Sequence, residues 1–259
     1  MIIIPITKLR YFYKSLAELR LSTKTQLNIV EDFSRKENYK QLISWYKESK
    51  NHFAEKYENI KESFLPNTLA NRRRVPHNVA TISSTHDVIS VLQERNPEIN
   101  VDNSDYNFRY IQREVPTYRT TNAKSEVGIK GKSGSGGIDF IGFDCKNLLP
   151  ILGEIKVKGD QNTFYALIQL LTYLSELSTT NQIKRINKHK LFGNIPDLTD
   201  ETSFYLYIIL AYTNSSDIKK EILSKTQTLA AHLEEEIQEI EKIVFLKMHP
   251  ETKNITIIT

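Results

Sequence analysis

Two short apolar segments, Gly137 to Asp144 and Pro150 to Val157, constrain this chain more than any other feature, because each carries charge where burial is expected. Asp139 lies between Ile138 and Phe140, and Glu154 and Lys156 flank Ile155. Both segments have strand length, and the tight connection between them predicts a hairpin. Side chains alternate faces along a strand, so Glu154 and Lys156 project from the same side, roughly 7 Å apart along the chain. The hairpin can bring Asp139 beside Glu154. Burying a carboxylate is costly unless it is paired or binds a metal, and two neighbouring carboxylates repel unless a cation stands between them. Hard oxygen ligands of this kind suit Mg²⁺ or Mn²⁺.

The surrounding pattern predicts a mixed α/β domain. Ser84 to Asp87 forms a capping-box signature followed by Val88, Ile89, Val91 and Leu92, which predicts a helix running to about Asn96. A strand is expected from Phe108 to Tyr118, interrupted at Pro116, then a polar, glycine-rich loop from Thr120 to Gly137. Residues 162–178 carry Phe164, Leu167, Ile168, Leu171 and Leu174 at helical spacing. Ser203 to Thr213 reads as a strand, Asp217 to Glu241 as a long amphipathic helix, and Ile243 to Met248 with Ile255 to Ile258 as two closing strands. The expected order is helix, three strands, helix, strand, helix, two strands.

Residues 7–64 are expected to be helical, from Leu9, Phe12, Tyr13, Leu16 and Leu19 and later Leu42, Trp45, Tyr46 and Phe53. The run Arg72, Arg73, Arg74 between Pro66 and Pro76 reads as a linker. Residues 1–80 hold 15 Lys+Arg against 8 Asp+Glu, while the whole chain is only +4. Two readings fit this asymmetry: a basic appendage drawn to phosphate backbones, or a solvated, lysine-rich helical surface. The expected division is therefore a basic helical region over 1–80 and a second domain over 81–259.

Several chemistries are set aside. Gly131-Lys132-Ser133 lacks the first glycine of a P-loop, whose place is taken by Glu126, and a strand follows where a helix should. That stretch reads instead as a basic loop in which Lys130 and Lys132 contact a backbone, or as a connector. The six histidines show no zinc spacing, and His86 at a helix start reads as structural. Arg109, Arg113 and Arg119 alternate along a strand, and Tyr11-Phe12-Tyr13 reads as core. The single cysteine, Cys145, fits a reducing cytoplasm. No apolar run approaches a membrane span, and the apolar start does not read as a signal peptide.

Asp139, the Glu154-Ile155-Lys156 triplet and Gln169-Leu-Leu-Thr-Tyr173 on the following helix together resemble the PD-(D/E)xK nuclease superfamily, which includes restriction endonucleases and RecB-type nucleases. The resemblance covers about half the chain. It implies an α/β (α+β) fold: a restriction-endonuclease-like αβββαβ core, with a central mixed sheet flanked by helices, beside the N-terminal helical region. It further implies catalysis by Asp139, Glu154 and Lys156. Mg²⁺ (or Mn²⁺) would be held by Asp139, Glu154 and the Ile155 carbonyl, and Gln169 and Tyr173 would act in support, Gln169 bridging the lysine or a phosphate. Family members often add an acid from the first helix, for which Glu94 is the nearest candidate and Glu114 an alternative. No proline directly precedes Asp139. The implied activity is a DNA nuclease of restriction or anti-phage defence type, leaving 5′-phosphate and 3′-hydroxyl ends, as a homodimer or with a separate helicase, ATPase or defence partner. The competing expectation is a catalytically inactive module that keeps the fold to bind nucleic acid or protein.

Overall fold

The computed structural model describes residues 7–18, 21–35, 37–58, 79–115, 137–158, 160–212 and 215–258. Three helices come first: α1 (Lys8–Glu18), α2 (Thr23–Ser34) and α3 (Tyr39–Glu58). Then follow α4 (Thr85–Glu94), β1 (Ile99–Asn100), β2 (Asn107–Val115), β3 (Ile138–Asp144), β4 (Pro150–Val157), α5 (Thr163–Leu177), α6 (Thr180–Lys188), β5 (Phe204–Ala211), α7 (Asp217–Glu236), β6 (Ile240–Met248) and β7 (Ile255–Ile257). The strands form one seven-stranded mixed sheet in sequential order. Strands β1 to β4 are antiparallel neighbours, β4, β5 and β6 run parallel, and β7 returns antiparallel. Parallel neighbours need a crossover; α5 with α6 supplies one between β4 and β5, and α7 supplies the other between β5 and β6.

Strand β5 is buried along its whole length, and its unbroken run Phe-Tyr-Leu-Tyr-Ile-Ile-Leu-Ala is what a strand covered on both faces requires. Phe204, Leu206, Ile208 and Leu210 join the core on the face carrying α5 and α7. Tyr205, Tyr207, Ile209 and Ala211 join a second core under α4. Helix α4 is fixed by the expected capping box: Ser84 accepts from the Asp87 backbone, and Asp87 accepts from the Ser84 backbone at 2.8 Å.

The described helices within residues 1–80, α1 to α3, do not pack as a separate appendage. Leu9, Val30, Leu42 and Tyr46 belong to the same hydrophobic core as α5, α7 and the sheet. Phe12 of α1 sits within 5.3 Å of the Phe33 ring of α2, 5.4 Å of Trp45 of α3 and 6.2 Å of Phe164 of α5, tying four helices at one point. The sequence pattern of α5 explains why: it is buried nearly all round, so it needs cover on both sides. The sheet gives one side and α1 and α3 the other. Glu176, near the end of α5, is fully buried and meets the Arg10 guanidinium of α1.

Other elements differ in detail from the sequence reading. Helix α6 was not expected; in it only Gln182, Ile183 and Ile186 are buried, too few to give a clear period. Strand β1 is two residues long, below what a pattern can reveal. Helix α7 stops at Glu236 rather than Glu241, because Ile237 closes it with a bond to the Leu233 carbonyl and Ile240 enters the ladder opposite Phe204. None of the described helices is long and apolar enough to cross a membrane.

Removing one partner of a buried ion pair costs about 3–5 kcal/mol. Arg10→Met is therefore expected to lower the unfolding free energy by roughly 3 kcal/mol, and adding Glu176→Leu to recover most of it. Urea titration of the single and double variants checks this; a loss below about 0.5 kcal/mol for Arg10→Met would show that α1 is not docked on α5.

Candidate active site

The site forms where β3 and β4 part. Their ladder pairs Phe143 with Pro150, Gly142 with Ile151, Ile141 with Leu152 and Phe140 with Gly153, and goes no further. Glycine is needed at 153 because a Cβ there would stand 2.0 Å from the Phe140 ring. Beyond that point β4 stays paired with β5, Glu154 opposite Ile208 and Lys156 opposite Leu210, while its β3 side is open. The Asp139 side chain takes the vacated place: Oδ2 accepts the Ile155 backbone N–H at 2.8 Å. The N–H and C=O of one residue in a strand point to the same side, so the Ile155 carbonyl also faces the gap that Asp139 borders.

Asp139, one residue before Phe140, and Glu154, one residue after Gly153, lie close enough for the charge of Asp139 to act on Glu154. Glu154 and Lys156 share the face of Leu152, beneath α5, and are 3% and 2% exposed. The Lys156 ammonium lies 3.2 Å from Glu154 Oε1 and 3.0 Å from Asp160 Oδ2. Its third side meets the Tyr165 ring, 4.8 Å from the centroid.

Burial dominates the titration of these groups. It pushes Glu154 well above the usual carboxylate range, with the Asp139 charge adding to the rise and Lys156 opposing it. Burial also raises Asp139, to about 6, against the Ile155 N–H, Lys156 and the Glu154 hydrogen bond. For Lys156 burial disfavours the charge, but Glu154, Asp160 and Asp139 together outweigh it and its pKa rises. Each acid thus favours its neutral form more than a free carboxyl does, a preference that a bound divalent cation would oppose.

The residues fit such a cation. Glu154 Oε2 is buried and has no hydrogen-bond partner, an unusual expense for a carboxylate oxygen and one that a metal bond would relieve. Among the described residues no three His, Cys, Asp or Glu side chains converge on one metal position, so a cation here would have two carboxylates and the Ile155 carbonyl as its protein donors.

The remaining predicted residues separate into groups. Gln169 and Tyr173 lie together under the site, with Gln169 Nε2 donating to the Tyr173 hydroxyl at 3.1 Å. Gln169 does not bridge the lysine: its Oε1, the atom a lysine would need, is buried without a partner. Glu94 is exposed at the C-terminal end of α4 and is not brought to Asp139. The opposite end of that helix is: Ser83, Ser84 and His86 line an open cleft of about 440 Å³ together with Arg113, Glu114 and Asp139. Of the two alternatives for a further acid, Glu114 is therefore the one on the cleft wall. It holds a left-handed φ of 47°, an outlier for a side chain of this size, and its Oε1 lies 3.8 Å from His86 Nε2. Arg72, Arg73, Arg74, Lys130 and Lys132 lie outside the described residues.

Sequence reading missed three participants. Asp160 carried a faint signal, four residues after Lys156, hidden because a strand ends between them. His86 was accounted for by its place in a capped helix start. Tyr13 packs against the core as expected, and what the sequence did not show is its stacking on Tyr165 at 5.2 Å. Comparison of the chain with protein-family models, curated proteins and solved structures finds no match.

Because folding raises Asp139 from 3.8 to about 6, the folded chain keeps a proton that the unfolded chain has already lost between those values. Without divalent cations, stability is expected to fall as pH rises from about 4 to 6, by an amount on the order of 3 kcal/mol from Asp139 alone, and the raised Glu154 carries the fall further. Asp139→Asn should flatten that slope. Denaturant midpoints across this range test it, and equal slopes for the two proteins would contradict the burial argument.

Proposed function

We propose that this chain is a Mg²⁺- or Mn²⁺-dependent nuclease of the PD-(D/E)xK type, hydrolysing phosphodiester bonds of DNA. One observation carries the reading: Asp139 and Glu154 lie side by side at the split of β3 and β4, with the Lys156 ammonium 3.2 Å from Glu154. The succession α4, β2, β3, β4, α5, β5 supports the αβββαβ core that goes with this site.

Asp139, Glu154 and the Ile155 carbonyl would hold the cation. When bound, it polarises a phosphoryl oxygen and makes a water easier to deprotonate. Asp139 is fixed for this work by the Ile155 N–H, so its free oxygen is aimed without side-chain reorganisation. Glu154 is walled in by α5, which keeps water from competing for its oxygens. Lys156, charged at every working pH, offers a compact cation to the charge that develops on the phosphate and orients the attacking water. The cleft beside Asp139, with Arg113 on its wall, gives a backbone room to approach. A place in restriction or anti-phage defence, and action as a homodimer or beside a separate helicase or ATPase, go with this reading.

Incubating the protein with plasmid, linear duplex and single strand, in Mg²⁺, Mn²⁺ or EDTA, tests the proposal. Cutting is expected with either metal and none with EDTA. Asp139→Ala, Glu154→Ala and Lys156→Ala should each lower the rate by about 100-fold or more. Variants that cut like the wild type would remove the site assignment. A wild type that binds DNA but cuts none of the substrates would favour the non-catalytic module.

A further inference from the structure

The catalytic roles above account for Lys156 but leave unexplained the aromatic stack in which it is seated. Tyr165 is on the first turn of α5, and its backbone N–H is held at 2.9 Å by the Asn162 side chain that caps the helix. Asn162 is tied in turn to Gln26 of α2, donating to its Oε1 at 3.0 Å. The Tyr165 ring stacks on Tyr13 of α1, nearly parallel at 16° with centroids 5.2 Å apart. Tyr13 also meets Tyr173 edge-on at 6.3 Å. The Lys156 ammonium lies over the Tyr165 ring, 4.8 Å from its centroid.

We propose that Tyr165, braced by Tyr13, is a positioning residue that holds the Lys156 ammonium over the site, so that α1 forms part of the catalytic apparatus. The inference rests on the nuclease reading for its meaning but not for its geometry. A lysine head is a point charge on a flexible stem, without the planar fork that lets arginine fix itself. Its two anionic partners do not suffice to hold it. Glu154, 3.2 Å away, would be shared with the cation, and the Asp160 side chain is 53% exposed, so its pull is screened by water. An aromatic face attracts the charge without accepting its proton, which leaves the ammonium free to serve the phosphate. The ring can do this only if it stays put, and the stacked Tyr13 ring restrains it.

Four variants separate this role from simple packing: Tyr165→Phe keeps the ring, Tyr165→Met keeps bulk without it, and Tyr13→Phe and Tyr13→Leu repeat the contrast one layer out. With whichever substrate the wild type cuts, Tyr165→Phe and Tyr13→Phe are expected within about threefold of wild type, while Tyr165→Met loses about tenfold in kcat with KM within about twofold. Tyr13→Leu should fall between. Acetic anhydride labelling of lysines, read by mass spectrometry, supplies a measurement independent of activity. Lys156 should label slowly in the wild type and both phenylalanine variants, and about fivefold or more faster in Tyr165→Met, with Lys50 and Lys242 unchanged as controls. Tyr165→Phe as impaired as Tyr165→Met, or Lys156 labelling at the wild-type rate in Tyr165→Met, would overturn the proposal. If Tyr165→Met speeds every lysine, its fold is loosened and Tyr13→Leu decides by the same two readings. If the wild type cuts nothing, the nuclease reading fails while labelling still decides the positioning.

Discussion

The Ile155 N–H bound by Asp139 is the contact on which the site depends. A ladder bond between β3 and β4 at that level would have paired the backbone with backbone and left no room for chemistry. Replacing it with a carboxylate ends the pairing one residue early, brings Asp139 against Glu154, and turns the Ile155 carbonyl toward the same gap. The strand does not fray there, because β5 holds it from the other side as far as Val157. An open edge on one side and a firm ladder on the other give a site that is both accessible and rigid.

Charge balance follows from that arrangement. Burial is the main reason both acids titrate high, and two acids beside one ammonium leave the centre short of positive charge, which raises the lysine. The unmatched oxygen of Glu154 marks where the deficit lies. A divalent cation between the carboxylates would repair it, and the proposed nuclease chemistry is the use such a cation would have beside a fixed ammonium and an open cleft.

The strands of the site were legible in the sequence because their signals are local. Pro150–Val157 reads to the residue, and the alternation that puts Glu154 and Lys156 on one face needs nothing beyond the strand itself. The relation of the N-terminal helices to the site was not read, although one sign was present: α5 is apolar on every side, and such a helix cannot face water. Their basic charge suggested an appendage, whereas Phe12 and Tyr13 place them in the core and beside the lysine. Asp160 and the His86–Glu114 wall depend on where a strand ends and how a helix start meets a distant strand, which spacing along the chain does not encode.

The central claim is that Asp139 and Glu154 share one divalent cation. Crystals grown with Mn²⁺ and measured at its absorption edge test it most directly. One anomalous peak in contact with both carboxylates and the Ile155 carbonyl is the expected result. A peak held by His86 and Glu114 alone, or no peak at saturating Mn²⁺, would contradict the account.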